Sequence, residues 1–216
     1  MEWPERFRYV VVEGPIGVGK TSLARRLATE IDSELLLEDP GSNPFLPQFY
    51  ESPDRHALAT QLTFLFQRAD QVKALSQLNL FSRAVVADFL LDKDALFANL
   101  NLSEDELALY RKIYAHLQPQ CPTPDLVIVL QASTDTLANR VHRRGIRFEQ
   151  SISQDYLARL ADSYTRYFHA YDAAPVLFVN TEGLNFVDNS DHLSLLLDRI
   201  VQMRGSREFF NVSAAQ

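Results

Sequence analysis

The sequence is poor in the features that mark secreted, membrane-spanning and disulfide-stapled proteins. It has a single cysteine, Cys121, among 216 residues, so an internal disulfide framework is excluded and a reducing compartment is favoured. Residues 1–6 lack the apolar core of a signal peptide. No apolar run approaches the ~20 residues that a membrane-spanning helix needs. We therefore expect a cytoplasmic protein without a membrane partner.

Positive charge is also scarce. Lys and Arg number 21 against 28 Asp and Glu, which gives a net charge of −7 and argues against a broad nucleic-acid-binding face. The five histidines are scattered, without the spacing of metal ligands. No internal repeat or low-complexity linker divides the chain. We expect one domain over residues 1–216, in which any anion-binding site is local.

The most specific pattern in the chain is a phosphate-binding loop. Residues 14–21 read G-x-x-x-x-G-K-T, after a short apolar run and before a segment with helical spacing. Glycines let successive backbone N–H groups turn towards an anion, and the next helix points its positive end at the same place. Lys20 can reach the β- and γ-phosphates of a nucleotide, and Thr21 can offer its hydroxyl to Mg²⁺. The predicted phosphate-binding residues are Gly14, Pro15, Ile16, Gly17, Val18, Gly19, Lys20, Thr21 and Ser22.

Short apolar runs alternate with helical patterns along the chain. The predicted strands cover residues 8–12, 34–39, 84–88, 125–130 and 176–179. The predicted helices cover residues 20–31, 55–78, 95–98, 104–117, 133–144 and 191–203, with an ordered loop or short helix at 45–53. Ser103 with Glu106 resembles a capping box, and Ser133 supplies a cap for the helix that runs to Arg144. This alternation predicts a three-layer α/β fold, a five-stranded parallel sheet flanked by helices. The core spans about residues 8–203, followed by a loose tail over 204–216.

Acidic residues end two of the predicted strands. Glu38 and Asp39 follow the second strand, and Asp88 follows the third. Ligands of parallel α/β sheets bind beyond the carboxyl ends of the strands, so these acids and the phosphate-binding loop should meet in one crevice. An acid in this position beyond a phosphate-binding loop commonly accompanies Mg²⁺, which makes Asp88, with Thr21, the predicted metal-side pair.

Two further sets of polar residues are candidates for ligand contacts. Gln61 and Arg68 are two turns apart on one face of a largely apolar helix, a spacing that suits a flat ligand edge and equally suits two solvated residues. Arg140, Arg143, Arg144 and Arg147 crowd into eight residues of an acidic protein. Guanidinium groups suit phosphate oxygens. A solvated basic helix end is the alternative.

Together these pieces resemble the deoxynucleoside kinase family, of the deoxyadenosine, deoxyguanosine and deoxycytidine kinase type. The resemblance implies a five-stranded parallel sheet, transfer of the ATP γ-phosphate to a deoxynucleoside 5′-hydroxyl, and a homodimer. It implies no nucleic-acid partner. It rests on residues 14–21, Glu38-Asp39-Pro40 with residues 43–46, Gln61 and Arg68, Asp88 with Asp94, Phe97 and Ala98, and residues 140–145 with Glu149.

The resemblance also implies roles for individual residues. The base that takes the 5′-hydroxyl proton would be Glu38 or Asp39. The family usually has Glu before the proline, where this chain has Asp39. Gln61 and Arg68 would read the edge of a purine or cytosine base, with Asp94 holding the arginine. Arg140 and Arg144 would be the lid arginines, which bind the ATP phosphates and take part in catalysis. Glu149 would be the lid acid near the sugar.

The sequence departs from the family at one position. The family carries an acid-Arg-Ser motif after its third strand, whereas here Asp88 is followed by Phe89 and Leu90. The arginine that positions the 5′-oxygen is therefore missing. Two alternatives follow: a kinase for another small acceptor such as a nucleoside monophosphate, or a nucleotide-binding regulatory protein with weakened catalysis. A GTPase switch is disfavoured because no N-K-x-D-like segment reads guanine.

Overall fold

The computed structural model describes residues 3–77, 84–117, 122–186 and 189–211. Arg83, the arginine directly before the predicted strand 84–88, and Cys121 both lie outside the described residues. No helix within these ranges is both long and apolar enough to cross a membrane.

A parallel sheet forms the centre of the molecule. Its strands are β1 (Tyr9–Glu13), β2 (Glu34–Leu36), β3 (Val85–Ala87), β4 (Leu126–Gln131), β5 (Val176–Asn180) and β6 (Arg207–Phe210). Their order is β2-β3-β1-β4-β5-β6, and every neighbouring pair is parallel. Since β1 lies in the middle, the phosphate-binding loop leaves from the centre of the sheet.

Helices connect the strands and cover both faces of the sheet. They are α1 (Lys20–Glu30), α2 (Leu46–Glu51), α3 (Pro53–Gln77), α4 (Asp94–Asn101), α5 (Glu104–Leu117), α6 (Thr134–Arg144), α7 (Gln154–Ala170) and α8 (Ser190–Gln202). Short 3₁₀ turns occupy Pro40–Ser42, Leu91–Lys93 and Arg147–Ser151.

The core lies on both sides of the sheet because successive strand residues point to opposite faces. On β1, Val10 and Val12 pack in one apolar cluster with residues of α1, α6 and α8. Tyr9 and Val11 pack in the other, with α7 residues such as Leu160 and Phe168. All five residues of β1 are buried, as expected of a strand covered on both faces. The predicted three-layer parallel α/β fold is thus confirmed.

Two predicted helix starts also form as expected. Ser103 and Glu106 make a capping box, in which the backbone N–H and the hydroxyl of Ser103 donate to Glu106 Oε2 at 3.0 and 2.8 Å. Ser133 caps α6 by accepting the N–H of Thr136 at 3.3 Å. Caps are local, so the sequence pattern is sufficient to predict them.

The sheet has six strands, where the sequence predicted five. The additional strand, β6, falls in the segment 204–216 that was expected to be a loose tail. Phe209 stacks on Phe178 of β5 with ring centroids 5.0 Å apart. On α8, Arg199 pairs with Glu208 at 2.8 Å. Pairing with β5 and these side-chain contacts order a segment that is too short and polar to be recognised as a strand by itself.

Candidate active site

The phosphate-binding loop is held in a tight turn between β1 and α1. Gly14 and Gly17 have φ values of 145° and 82°, which residues other than glycine rarely adopt. A Cβ on Gly17 would lie 2.8 Å from the backbone oxygen of Leu137. Lys20 Nζ donates to the carbonyl oxygens of Gly14 and Pro15 at 2.8 and 3.2 Å, so its ammonium lies within the loop.

Beside this loop lies a cleft of about 790 Å³. The predicted basic residues Arg140 and Arg144 line it together with Arg143, Thr181 and residues 184–186. Arg140 donates to the carbonyl oxygens of Val18 at 3.2 Å and of Thr181 at 2.8 Å, and to the Thr181 hydroxyl at 2.9 Å. Arg140 therefore ties the loop to the segment after β5, while half-exposed Arg144 stays at the rim.

Asp88 connects the phosphate-binding loop to the segment that follows β2. Its Oδ2 accepts the hydroxyl of Thr21 at 2.5 Å, and its Oδ1 accepts the backbone N–H of Glu38 at 2.7 Å. The sheet edge thus brings together the loop, Glu38 and Asp88, as the strand ends predicted. Asp39 lies on the outside as the exposed residue before the 3₁₀ turn Pro40–Ser42.

A buried ion-pair network surrounds Glu38. Arg68, 3% exposed, places Nη2 and Nε at 2.5 and 2.8 Å from Glu38 Oε1. Its Nη1 donates to Asp94 Oδ1, and the Tyr110 hydroxyl donates to Asp94 Oδ2 at 2.6 Å. Gln61 lies in the same network, since its Nε2 donates to the backbone oxygen of Asp94 at 3.0 Å. The predicted base-reading pair is therefore buried and ordered instead of solvated.

Electrostatics keeps the key groups in defined states. Burial alone would raise the pKa of Glu38, but the charges of Arg68 and then Lys93 outweigh it and lower the pKa to about 2. The pKa of Lys20 is lowered to about 8, first by burial and then by the charge of Lys93. At neutral pH, Glu38 is a carboxylate and Lys20 is mainly an ammonium.

Two buried charged residues of this site, Glu13 and Lys93, were not predicted from the sequence. Glu13, at the end of β1, is fully buried and pairs with Lys93 Nζ at 3.1 Å. In the sequence, Lys93 lies between Asp92 and Asp94, a pattern typical of a solvated charge run, whereas in the structure it is buried and paired with Glu13. Phe89, which stands where the family has arginine, is also fully buried, in an apolar cluster with Leu65, Val72 and other residues.

Glu149 approaches the same region from the turn Arg147–Ser151. The residue is 5% exposed, and its Oε1 lies 3.5 Å from Arg144 Nη2. Its Oε2 is buried without a hydrogen-bond partner among the described residues, and burial raises its pKa. Nearby, Phe148 stacks on Tyr50 of α2 with centroids 6.2 Å apart. The turn therefore presents an acceptor oxygen beside an aromatic wall, and Tyr50 joins the site as a residue the sequence did not single out.

The chain is similar to known proteins over most of its length. Residues 10–203 match the family model described as deoxynucleoside kinase. The deoxyguanosine kinase of Bacillus subtilis (strain 168) is 31% identical over 200 residues, which cover 90% of this chain and 97% of that protein. The deoxyadenosine kinase of Lactobacillus acidophilus is 30% identical over 205 residues, which cover 88% and 94%.

Solved structures show the same fold. The deoxyadenosine kinase from M. mycoides with bound dATP has a TM-score of 0.77 at 23% identity, covering 90% of this chain and all of that one. The same enzyme with dCMP and a flexible dCDP bound has a TM-score of 0.79 at 22% identity, with the same coverage. On the family match and the two relatives, the chain belongs to the deoxynucleoside kinase family.

Proposed function

We propose that the protein transfers the γ-phosphate of ATP to the 5′-hydroxyl of a purine or cytosine deoxynucleoside. One observation carries this proposal: a continuous network of hydrogen bonds and ion pairs runs from Thr21 through Asp88 and Glu38 to Arg68 and Asp94. It joins a loop of phosphate-binding type to a carboxylate and to a guanidinium that suits a nucleobase edge. A two-substrate phosphotransferase needs these two halves to be held together.

The donor half would hold ATP on the phosphate-binding loop. Backbone N–H groups within residues 16–22 and the Lys20 ammonium would bind the phosphates, with Arg140 and Arg144 at the α6 side. The cleft that continues towards residues 184–186 has room for the nucleoside part of the donor. Positive charge from these side chains would stabilise the charge that spreads over the transferring group.

The residues present fit Mg²⁺ as an accompanying ion. Thr21 and Asp88 place a hydroxyl and a carboxylate oxygen 2.5 Å apart at the loop, and Mg²⁺ prefers oxygen ligands from one or two protein groups together with substrate phosphates. No cluster of three or more His, Cys, Asp or Glu able to hold a metal occurs in the described ranges. When bound, the ion would neutralise charge on the β- and γ-phosphates.

Glu38 is the better placed of the two candidate bases. It is an ionised carboxylate within the network, whereas Asp39 is exposed outside it. In the proposed reaction, Glu38 takes the proton of the 5′-hydroxyl. The 5′-oxygen forms a bond to the γ-phosphorus, the bond from that phosphorus to the β,γ-bridging oxygen breaks, and ADP leaves. Positioning and charge stabilisation would supply most of the acceleration.

The acceptor half would recognise base and sugar separately. Arg68 and Gln61 would meet the edge of the base, with Asp94 fixing the guanidinium. The Oε2 of Glu149, which has no hydrogen-bond partner among the described residues, would accept a hydrogen bond from the sugar. We also propose that the protein is a cytoplasmic homodimer that binds small nucleosides and nucleotides. Exposed apolar residues such as Phe66 on α3 and Leu109 on α5 are surfaces that a second copy would cover.

Incubation of the purified protein with γ-labelled ATP and a panel of deoxynucleosides tests the proposal. The expected product is a labelled 5′-monophosphate of a purine deoxynucleoside or of deoxycytidine. Label found only on nucleoside monophosphates would favour the alternative acceptor class. Tight ATP binding without transfer to any acceptor would favour a regulatory protein and contradict the proposal.

A further inference from the structure

Lys93 is a buried cation beside the phosphate-binding loop. Its side chain is 2% exposed, and its Nζ lies 3.1 Å from Oε1 of Glu13, which is fully buried. Lysine is rarely buried to this extent, because removing an ammonium from water is costly even when it is paired. A lysine kept in this position therefore calls for an explanation in addition to packing.

The partner of Lys93, Glu13, directly precedes the phosphate-binding loop and contacts it. Glu13 Oε2 accepts the backbone N–H of Gly14 at 3.1 Å and the Tyr164 hydroxyl at 3.3 Å. Its Oε1 accepts the backbone N–H of Leu90 at 2.6 Å. Three donors other than Lys93 thus already satisfy this carboxylate. The ammonium adds a full positive charge beyond what hydrogen bonding of Glu13 requires.

The position of Lys93 in the chain places this charge between the two halves of the site. It precedes Asp94, which binds Arg68, and it lies in the segment that begins at Asp88. Its charge acts on Glu38 in the acceptor half and on Lys20 in the donor half. Phe89, directly after Asp88, is buried among apolar side chains and brings no charge. In the segment 88–94, the buried cation is therefore Lys93.

We propose that Lys93 is a positioning residue of the phosphoryl transfer. Held on Glu13, it fixes the segment Asp88–Asp94 against the phosphate-binding loop and supplies positive charge between Glu38 and the bound phosphates. It exchanges no proton and forms no bond in the reaction. The inference rests on the kinase function proposed above and assigns within it a charge that the sequence motif had left unassigned.

A purely structural role is the competing explanation, in which Lys93 only neutralises Glu13. Three variants separate the two roles: Lys93→Met removes the charge, Lys93→Arg keeps it, and Glu13→Gln with Lys93→Met removes both charges of the pair. Lys73→Met is the matched control, because Lys73 is 64% exposed and pairs only loosely with Asp70 at 3.6 Å. Each variant is measured for thermal unfolding and for kcat and KM with both substrates.

We expect Lys93→Met to lower kcat about 10- to 100-fold, less than the roughly 10²- to 10³-fold of losing a preorganised contact to the reacting group itself, with the deoxynucleoside KM nearly unchanged. Lys93→Arg should recover most of that loss. The double variant leaves no unpaired buried charge, so it should regain thermal stability but not kcat. Lys73→Met should match the parent protein.

A double variant with the parental kcat would overturn the inference, since neutralisation of Glu13 would then be the whole role of Lys93. Equal losses in Lys93→Arg and Lys93→Met would also count against a role of the charge. If Lys93→Met does not fold, the double variant alone decides. A parent protein that phosphorylates no acceptor would instead overturn the proposed function, so the two failures are distinguishable.

Discussion

Glu38 and Arg68 form an ion pair in which both Nη2 and Nε of the guanidinium contact one carboxylate oxygen, at 2.5 and 2.8 Å. The same guanidinium binds Asp94. The candidate base, Glu38, and the candidate nucleobase-binding residue, Arg68, are therefore in direct contact, so neither can move without affecting the other. If a bound nucleoside moved Arg68 towards its base, the surroundings of the Glu38 carboxylate would change as well. Binding of the base would thereby affect proton removal from the 5′-hydroxyl.

The first prediction concerns which carboxylate is the base. Glu38→Gln keeps the shape of the side chain but removes its ability to take a proton, so kcat should fall about 10²- to 10⁴-fold, the range for a lost general base. Asp39→Asn should stay within a few-fold of the parent protein, because Asp39 is exposed outside the network. Steady-state kinetics at saturating ATP measures both. The reverse order of effects would transfer the role to Asp39.

The second prediction concerns the buried pair of Arg68 and Asp94. Asp94→Asn removes one partner and leaves the guanidinium of Arg68, which is 3% exposed, with less compensation. We expect a loss of about 3–5 kcal/mol in the free energy of unfolding. The exposed pair Arg159–Asp155, at 3.0 Å, is the matched control, and Asp155→Asn should cost less than about 1 kcal/mol. Urea denaturation that gave equal losses would show that burial of the first pair is energetically unimportant.

Features of the site that depend on residues close together in the sequence could be predicted, whereas those that depend on contacts between distant residues could not. The phosphate-binding loop, the caps of α5 and α6 and the acid at Asp88 could be predicted because their patterns are local. Lys93 could not, since its partner Glu13 is distant in sequence and its neighbours suggested a solvated charge run. The resemblance, in turn, supplied Asp94 and Glu149, whose spacing alone carried no chemical signal.

The fold shows the same dependence. Five strands with apolar runs were predicted, but β6 depends on its neighbour β5, and its residues alternate between exposed and half-buried. Helix α7 was not predicted, although its buried Leu157, Leu160, Tyr164 and Phe168 recur at helical spacing. That stripe, together with a cap at Ser153, was a usable signal. The sequence alone is therefore sufficient to predict α7, whereas β6 depends on its tertiary contacts with β5.

The third prediction separates steric overlap from backbone strain in the phosphate-binding loop. Gly17 and Gly145 both have positive φ, 82° and 70°, but only at Gly17 would a Cβ meet other atoms, 2.8 Å from Leu137 O and 2.9 Å from Val141 Cγ2. Gly145→Ala should cost about 1–2 kcal/mol of stability from strain. Gly17→Ala should add about 1–3 kcal/mol from overlap and weaken ATP binding. Thermal unfolding and ATP titration measure these effects, and equal stabilities would contradict the close approach of α6 to the loop.

The last prediction concerns the buried oxygen of Glu149 that lacks a partner among the described residues. Once the 5′-hydroxyl is the reacting group, the 3′-hydroxyl is the remaining sugar donor of a deoxynucleoside. A hydrogen bond from it to a charged carboxylate contributes about 1.5–3 kcal/mol. Glu149→Ala should therefore lower kcat/KM for the deoxynucleoside about 10- to 100-fold, with the ATP KM unchanged.

The matched substrate is the 2′,3′-dideoxynucleoside, which lacks that hydroxyl. The parent protein should discriminate against it by a similar factor, and Glu149→Ala should remove most of that discrimination, because the variant and the substrate delete the same contact. If the parent and the variant discriminate equally, Glu149 does not contact the sugar. In that case the partner of its buried oxygen is to be sought on the donor side, where Arg144 already lies 3.5 Å from Oε1.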